Sequence, residues 1–143
     1  MKTILLPLLI GLMLVGCSSS PSLSNSSSLY QELNGQSGLE RLVDAFIQEI
    51  AGDEQIFHYF AKSNVDRFRE GFITHLCDVS DGPCEYQGDN MIDIHTGMKI
   101  NEADFNRVVE LLINAMEAEG IPYRTQNKLL ARLAPLRPEI IHR

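Results

Sequence analysis

Four stretches of this chain repeat apolar residues with the period of an α-helix, and no segment alternates as a strand does. Leu39, Leu42, Val43, Phe46, Ile47 and Ile50 fall at i, i+3, i+4, i+7, i+8 and i+11, one stripe of a helix. Val65, Phe68, Phe72, Ile73 and Leu76 repeat the pattern behind Ser63 and Asn64, either of which can cap an amino end. A third stripe, Phe105, Val108, Val109, Leu112, Ile113 and Met116, opens at Asn101 and closes at Gly120-Ile121-Pro122. Thr125 is placed to cap a shorter fourth segment carrying Leu129, Leu130 and Leu133, which Pro135 and Pro138 should end. An all-α domain follows.

Between the second and third stripes, Asp78 to Asn101 holds Gly82, Pro83, Gly88 and Gly97 and little helical period. It also holds Met91, Ile92, Ile94, His95 and Met98. A connection this long inside a compact domain usually has a function, and a bound cofactor would supply its missing packing.

The amino end has a different purpose. Lys2, an apolar run from Ile4 to Val15 and then small residues form an export signal, too short to span a bilayer. Leu14-Val15-Gly16-Cys17 reads as a lipobox, so residues 1–16 should be removed and Cys17 lipidated. A cleaved signal with a coincidental cysteine is the alternative. More than one acyl chain on Cys17 makes anchoring stable. Ser18 carries no acidic retention signal, which favours the outer membrane and a domain on its periplasmic side. Residues 17–28 are Ser-rich and suited to a tether, leaving 29–143 to fold. The net charge of −7 loses one positive unit, Lys2, and becomes −8, which argues against a nucleic-acid partner.

His95 is the one histidine outside a segment with a clear structural role. An imidazole can hold haem iron when its second nitrogen donates to a carbonyl or carboxylate. Ile92 and Met98, three residues to either side, can flank the ring on a helical turn. On spacing alone, a single histidine among apolar neighbours is more often a hydrogen-bonded core residue than a ligand.

The stretch from Tyr86 to Ile100 reads Y-x-G-x-x-M-x-x-x-H-x-G-x-x-I through Tyr86, Gly88, Met91, His95, Gly97 and Ile100. This resembles the proximal signature of group 1 truncated haemoglobins, and the likeness runs from Leu29-Tyr30 and Asn34-Gly35 through Tyr59-Phe60 and Asp81-Gly82-Pro83 to the last helix. The resemblance implies a truncated globin, a two-over-two helical sandwich around haem b, with His95 as the iron ligand. It also implies haem contact for Phe60, Met91 and Met98, and turns at Asn34 and Asp81 in place of the usual glycines. Dioxygen, nitric oxide or carbon monoxide would be the ligand.

The likeness is incomplete on the ligand side. Where many members carry a tyrosine that donates to the ligand, this chain has Ile47, and the haem-facing positions of the second stripe are Phe68 and Phe72, or Arg69 if the register differs by one. An apolar pocket should release oxygen faster than a tyrosine-bearing one. His75, one turn beyond Phe72, can approach the haem, supply a second axial ligand, pack against the haem edge or face solvent. Lys62 is placed for a propionate or for solvent, and His58 and His142 for the surface. Cys77 and Cys84 are an even pair in an oxidising compartment and a candidate disulfide, with two free thiols as the alternative. Three functions remain: a ligand-binding haem protein served by an unidentified reductase, a haem-dependent nitric oxide dioxygenase or peroxidase, and a haem-free lipoprotein interaction module.

Overall fold

The computed structural model describes residues 27–143. The signal, the lipidation site at Cys17 and the tether up to residue 26 lie outside the described residues. Ser28, read as the end of the tether, caps α1 (Leu29–Glu32). Its hydroxyl accepts from the Gln31 N–H while the Gln31 side chain accepts from the Ser28 N–H, a reciprocal cap.

Helix α2 (Gly35–Gly52) starts four residues ahead of its first stripe residue, because Asn34 takes left-handed backbone (φ 64°) and turns the chain sharply out of α1. Asparagine tolerates that conformation in place of glycine, and Asp81 (φ 60°) does the same after α4. Periodicity gave no sign of α3 (Glu54–Phe60), whose seven residues are too few to display a stripe. Its signal was Asp53, whose carboxylate accepts from the Ile56 N–H. Asn64, not Ser63, caps α4 (Val65–Val79). The long connection contains α5 (Met91–His95), and α6 (Glu102–Ala118) opens behind Asn101 as expected.

The fourth helix departs from its reading at both ends. Helix α7 (Tyr123–Leu133) begins directly after Pro122, and Thr125 is buried inside it with its hydroxyl donating to Glu32 at 3.2 Å. Pro135 and Pro138 do not terminate the helical path. They occupy the opening positions of a 3-10 turn (Ala134–Leu136) and of α8 (Arg137–Ile140), where no backbone N–H is required.

Helix α2 packs against both α6 and α4, and its residues Leu39, Leu42, Val43, Phe46 and Ile50 are buried with Leu76, Leu111, Ala115, Met116 and Leu129. Helices α2, α4, α6 and α7 form the two-over-two sandwich that the resemblance implies, with no strand among the described residues. Ion pairs brace it from outside: Arg41–Glu119, Arg69–Asp44, Arg107–Asp53, Lys128–Glu32, Arg132–Asp81 and Arg137–Glu102 each join separate elements.

Asp104, buried in the first turn of α6, ties α3 to that helix. It accepts from Gln55 Nε2 at 2.9 Å and Tyr59 Oη at 2.8 Å. Those bonds hold its carboxyl below the usual value of 3.8, and burial together with Asp104 pushes the Tyr59 hydroxyl up to about 12. A depressed folded-state value means that the charge stabilises the fold above the unfolded value and ceases to do so as pH falls through the lower, folded one. Asp104→Asn should therefore lower urea-unfolding stability at neutral pH by about 1–2 kcal/mol, with the deficit shrinking as pH falls below 3.8. An equal deficit at both ends of that range would contradict the assignment.

Candidate functional site

Helix α5 is five residues long and none of them is buried, yet it presents the histidine in a fixed pose. Asn90 caps it through Asp93 N–H at 2.9 Å, and α5 packs chiefly against α8. The His95 Nδ1 lies 2.7 Å from the Met91 carbonyl. A carbonyl can only accept, so Nδ1 is the donor, and in the neutral ring this tautomer leaves the lone pair on Nε2. Met91 and Met98 share partial burial with His95, whereas Ile92 is 41% exposed. The helix ends at His95 and Gly97 turns the chain (φ 86°), which breaks the helical spacing expected to align Met98 with Ile92.

Helix α4 supplies the aromatic side. Phe68 stacks on Phe72 at 5.5 Å, Phe60 meets Phe68 edge-on at 5.0 Å, and Phe72 leans on Phe46 of α2 at 5.4 Å. Phe60, Phe68 and Phe72 are all only half-buried. Arg69 is committed elsewhere, with both guanidinium contacts going to Asp44 at 2.5 and 2.9 Å, so the phenylalanines hold the inward register. Ile47, Phe60 and Phe68 meet around an apolar cavity of about 70 Å³, completed by Ile50, Ala51, Phe57, Ser63 and Val65. Phe57 and Val65 are about half exposed, so this cavity reaches the surface.

His75 is the residue whose surroundings the sequence left most open. It is buried, ruling out the solvent-facing alternative, and its ring lies 6.4 Å from Phe72 and 5.1 Å from Tyr86. Burial pushes its imidazole below the usual histidine value, partly offset by Asp78, so the neutral form is favoured. Tyr86, known beforehand only as part of a signature, is thus a neighbour of the site. Cys77 and Cys84 are bridged, with Cα atoms 5.8 Å apart. The turn between them is tight: a Cβ on Gly82 would come within 2.6 Å of the Cys77 sulfur and 2.7 Å of Tyr30. His58, His142 and Lys62 are exposed.

Haem asks three things of a protein: an imidazole oriented by a partner on its second nitrogen, apolar surface not consumed by the core, and a neighbourhood without competing charge. His95 meets the first, and the half-buried Ile47, Phe60, Phe68, Phe72, Met91 and Met98 meet the second. Neutral His75 and the Arg69–Asp44 pair meet the third. Among the described residues no three His, Cys, Asp or Glu side chains converge as a seat for a bare ion. A metal already held in a macrocycle needs only one ligand from the chain. The residues fit the group.

Comparison with known proteins agrees with this geometry. The sequence model of a family described as bacterial-like globin matches residues 28–142. Group 1 truncated hemoglobin GlbN of Mycolicibacterium paratuberculosis is 32% identical over 114 residues, 80% of this chain and 84% of that protein. Among solved structures, truncated hemoglobin from Tetrahymena pyriformis in its Fe(III) form superposes with a TM-score of 0.79 at 22% identity, over 82% of this chain and 100% of that one. The 2/2 hemoglobin from Synechococcus, in the cyanomet state with covalently attached heme, gives 0.77 at 15% identity over the same shares.

Proposed function

This chain belongs to the bacterial-like globin family, and from that premise we propose that it is a haem protein that reversibly binds dioxygen or another diatomic ligand such as nitric oxide or carbon monoxide. When bound, haem would supply an iron able to take up a diatomic gas. The observation that carries the reading is the His95–Met91 hydrogen bond, which orients the ring and leaves Nε2 as the nitrogen able to hold that iron. Phe60, Phe68, Phe72, Met91 and Met98 would cover the macrocycle and exclude water. His75 would pack against the edge of the macrocycle rather than serve as a second ligand, a reading supported by its ring contacts with Phe72 and Tyr86.

The ligand pocket supports binding over turnover. Ile47, Phe68 and Phe72 have no proton to donate, and Arg69 is neutralised by Asp44. Dioxygenase or peroxidase chemistry needs a polar group to steer oxygen atoms, and Ser63 is the one polar side chain among the residues lining this cavity. A haem-free module would have no use for an imidazole held with one nitrogen free. The leader residues extend the proposal to location: lipid on Cys17 anchors the domain on the periplasmic side of a membrane, where returning ferric haem to the ferrous state requires a reductase.

The purified protein should show a Soret band before and after dithionite, and His95→Ala should lose the wild-type ferrous spectrum. No band even with added haem would end this reading. Ile47→Tyr, by restoring a donor worth roughly 1.5–3 kcal/mol, should slow dioxygen dissociation about tenfold or more in stopped-flow measurements. An unchanged rate would refute the apolar account of the pocket. Cys17→Ala should abolish incorporation of labelled palmitate in a bacterial host, and label retained by the variant would remove the lipid anchor.

A further inference from the structure

Five rings form a continuous row across this side of the domain. Phe60, Phe68, Phe72, His75 and Tyr86 follow one another with centroid separations of 5.0, 5.5, 6.4 and 5.1 Å. The first four are carried by α3 and α4. Tyr86 is not on a helix at all, but in the segment between α4 and α5.

That segment is weakly attached. Among the described residues, positions 83–90 make hydrogen bonds only within themselves and to α5: Tyr86 Oη donates to the Asp89 carbonyl at 3.0 Å, and Asn90 caps α5. Its contacts with the helical body include the bridge from Cys84 to Cys77, the packing of Cys84 on the core and the ring contact of Tyr86 with His75. Cys84 stands two residues before Tyr86, and α5 begins five residues after it. The bridge therefore fixes the start of the stretch that ends in His95.

Building on the haem reading above, we propose that the Cys77–Cys84 bridge holds Tyr86 against His75 so that the aromatic row closes one end of the haem slot, and that opening the bridge loosens haem while leaving the helical core intact. Tyr86 is thus a positioning residue, acting through His75 and the path of the chain into α5. Cys77 belongs to the core, but Leu76 and the stripe of α2 bring apolar burial of their own besides the bridge.

Opening the bridge takes two electrons from a dithiol. One thiolate attacks the Cys84 sulfur, the more accessible of the two, and breaks the Sγ–Sγ bond; Cys77 leaves as a thiolate and takes up a proton. The second thiolate of the reductant then displaces Cys84, which is protonated in turn, and the dithiol ends as its own disulfide. Cys77 is 0% exposed, so its thiolate would form among apolar groups that disfavour the charge, and reduction should be slow. The geometry is that of a staple rather than a rapid switch.

The test follows haem transfer from the purified protein to excess apomyoglobin, with hydrogen exchange measured in parallel. Prolonged treatment with dithiothreitol, and separately Tyr86→Leu with the bridge intact, should each speed haem loss about three- to tenfold, the size of one aromatic contact, while Tyr86→Phe stays near wild type. On reduction, the hydrogen-bonded amides of Asp93, Ile94 and Thr96 in and just after α5 should lose protection while those of α2 and α6 keep theirs. Unchanged haem loss in both the reduced protein and Tyr86→Leu would overturn the proposal, as would exchange rising equally across α2 and α6. A protein that never shows a Soret band would instead overturn the haem reading, and this proposal with it; the exchange comparison needs no haem and separates the two failures.

Discussion

The apolar stripe of α2 has to satisfy two partners at once. Leu39, Leu42, Val43, Phe46 and Ile50 are all at most 4% exposed, and they are buried against α6 on one side and α4 on the other. Once that helix is committed, the residues at the margin of its stripe have little freedom. Phe46 reaches Phe72, which sets the height at which the α4 ring row sits, and Ile47, the next residue, is turned into the cavity beside Phe60 and Phe68. The chemistry of the ligand side is therefore decided by which residue follows Phe46, with the fold supplying the place and the side chain supplying the character.

On the histidine side the constraint is of another kind. Helix α5 is too short to be stable alone, and it buries nothing completely. It is fixed by Asn90 at its start, by α8 beneath it and by the backbone pairing of Lys99 N–H with the Arg143 carbonyl and His142 N–H with the Ile100 carbonyl. The half-buried surface that this leaves on Met91, Met98, Phe60, Phe68 and Phe72 is what a flat apolar cofactor would complete. Surface left unfinished by the core is thus a positive feature of the site.

The sequence was informative where burial is repetitive and uninformative where it is local. Twelve-residue stripes such as Leu39 to Ile50 announce themselves because one face is buried over three turns. Helix α3 offered no such repetition, and Pro135 and Pro138 looked like stops because a first-turn proline and a breaker are the same residue in different positions. Thr125 looked like a cap because its hydroxyl partner, Glu32, lies far away in the chain. The assignment of His95 needed a family pattern, since neither the Met91 carbonyl nor the free Nε2 can be read from spacing. The burial of His75 and its contact with Tyr86 depend on where the chain goes after the bridge, information that no local pattern holds.

The outer ion pairs have a consequence for the medium in which this domain can work. Six of the pairs join separate elements, so they act as clamps between helices. They operate on a chain that carries a surplus of acidic groups, 19 against 12 basic ones. Dissolved salt weakens the clamps, and it equally relieves the mutual repulsion of the surplus carboxylates. The two effects oppose each other, so added salt shifts the balance of the fold less than either effect alone would.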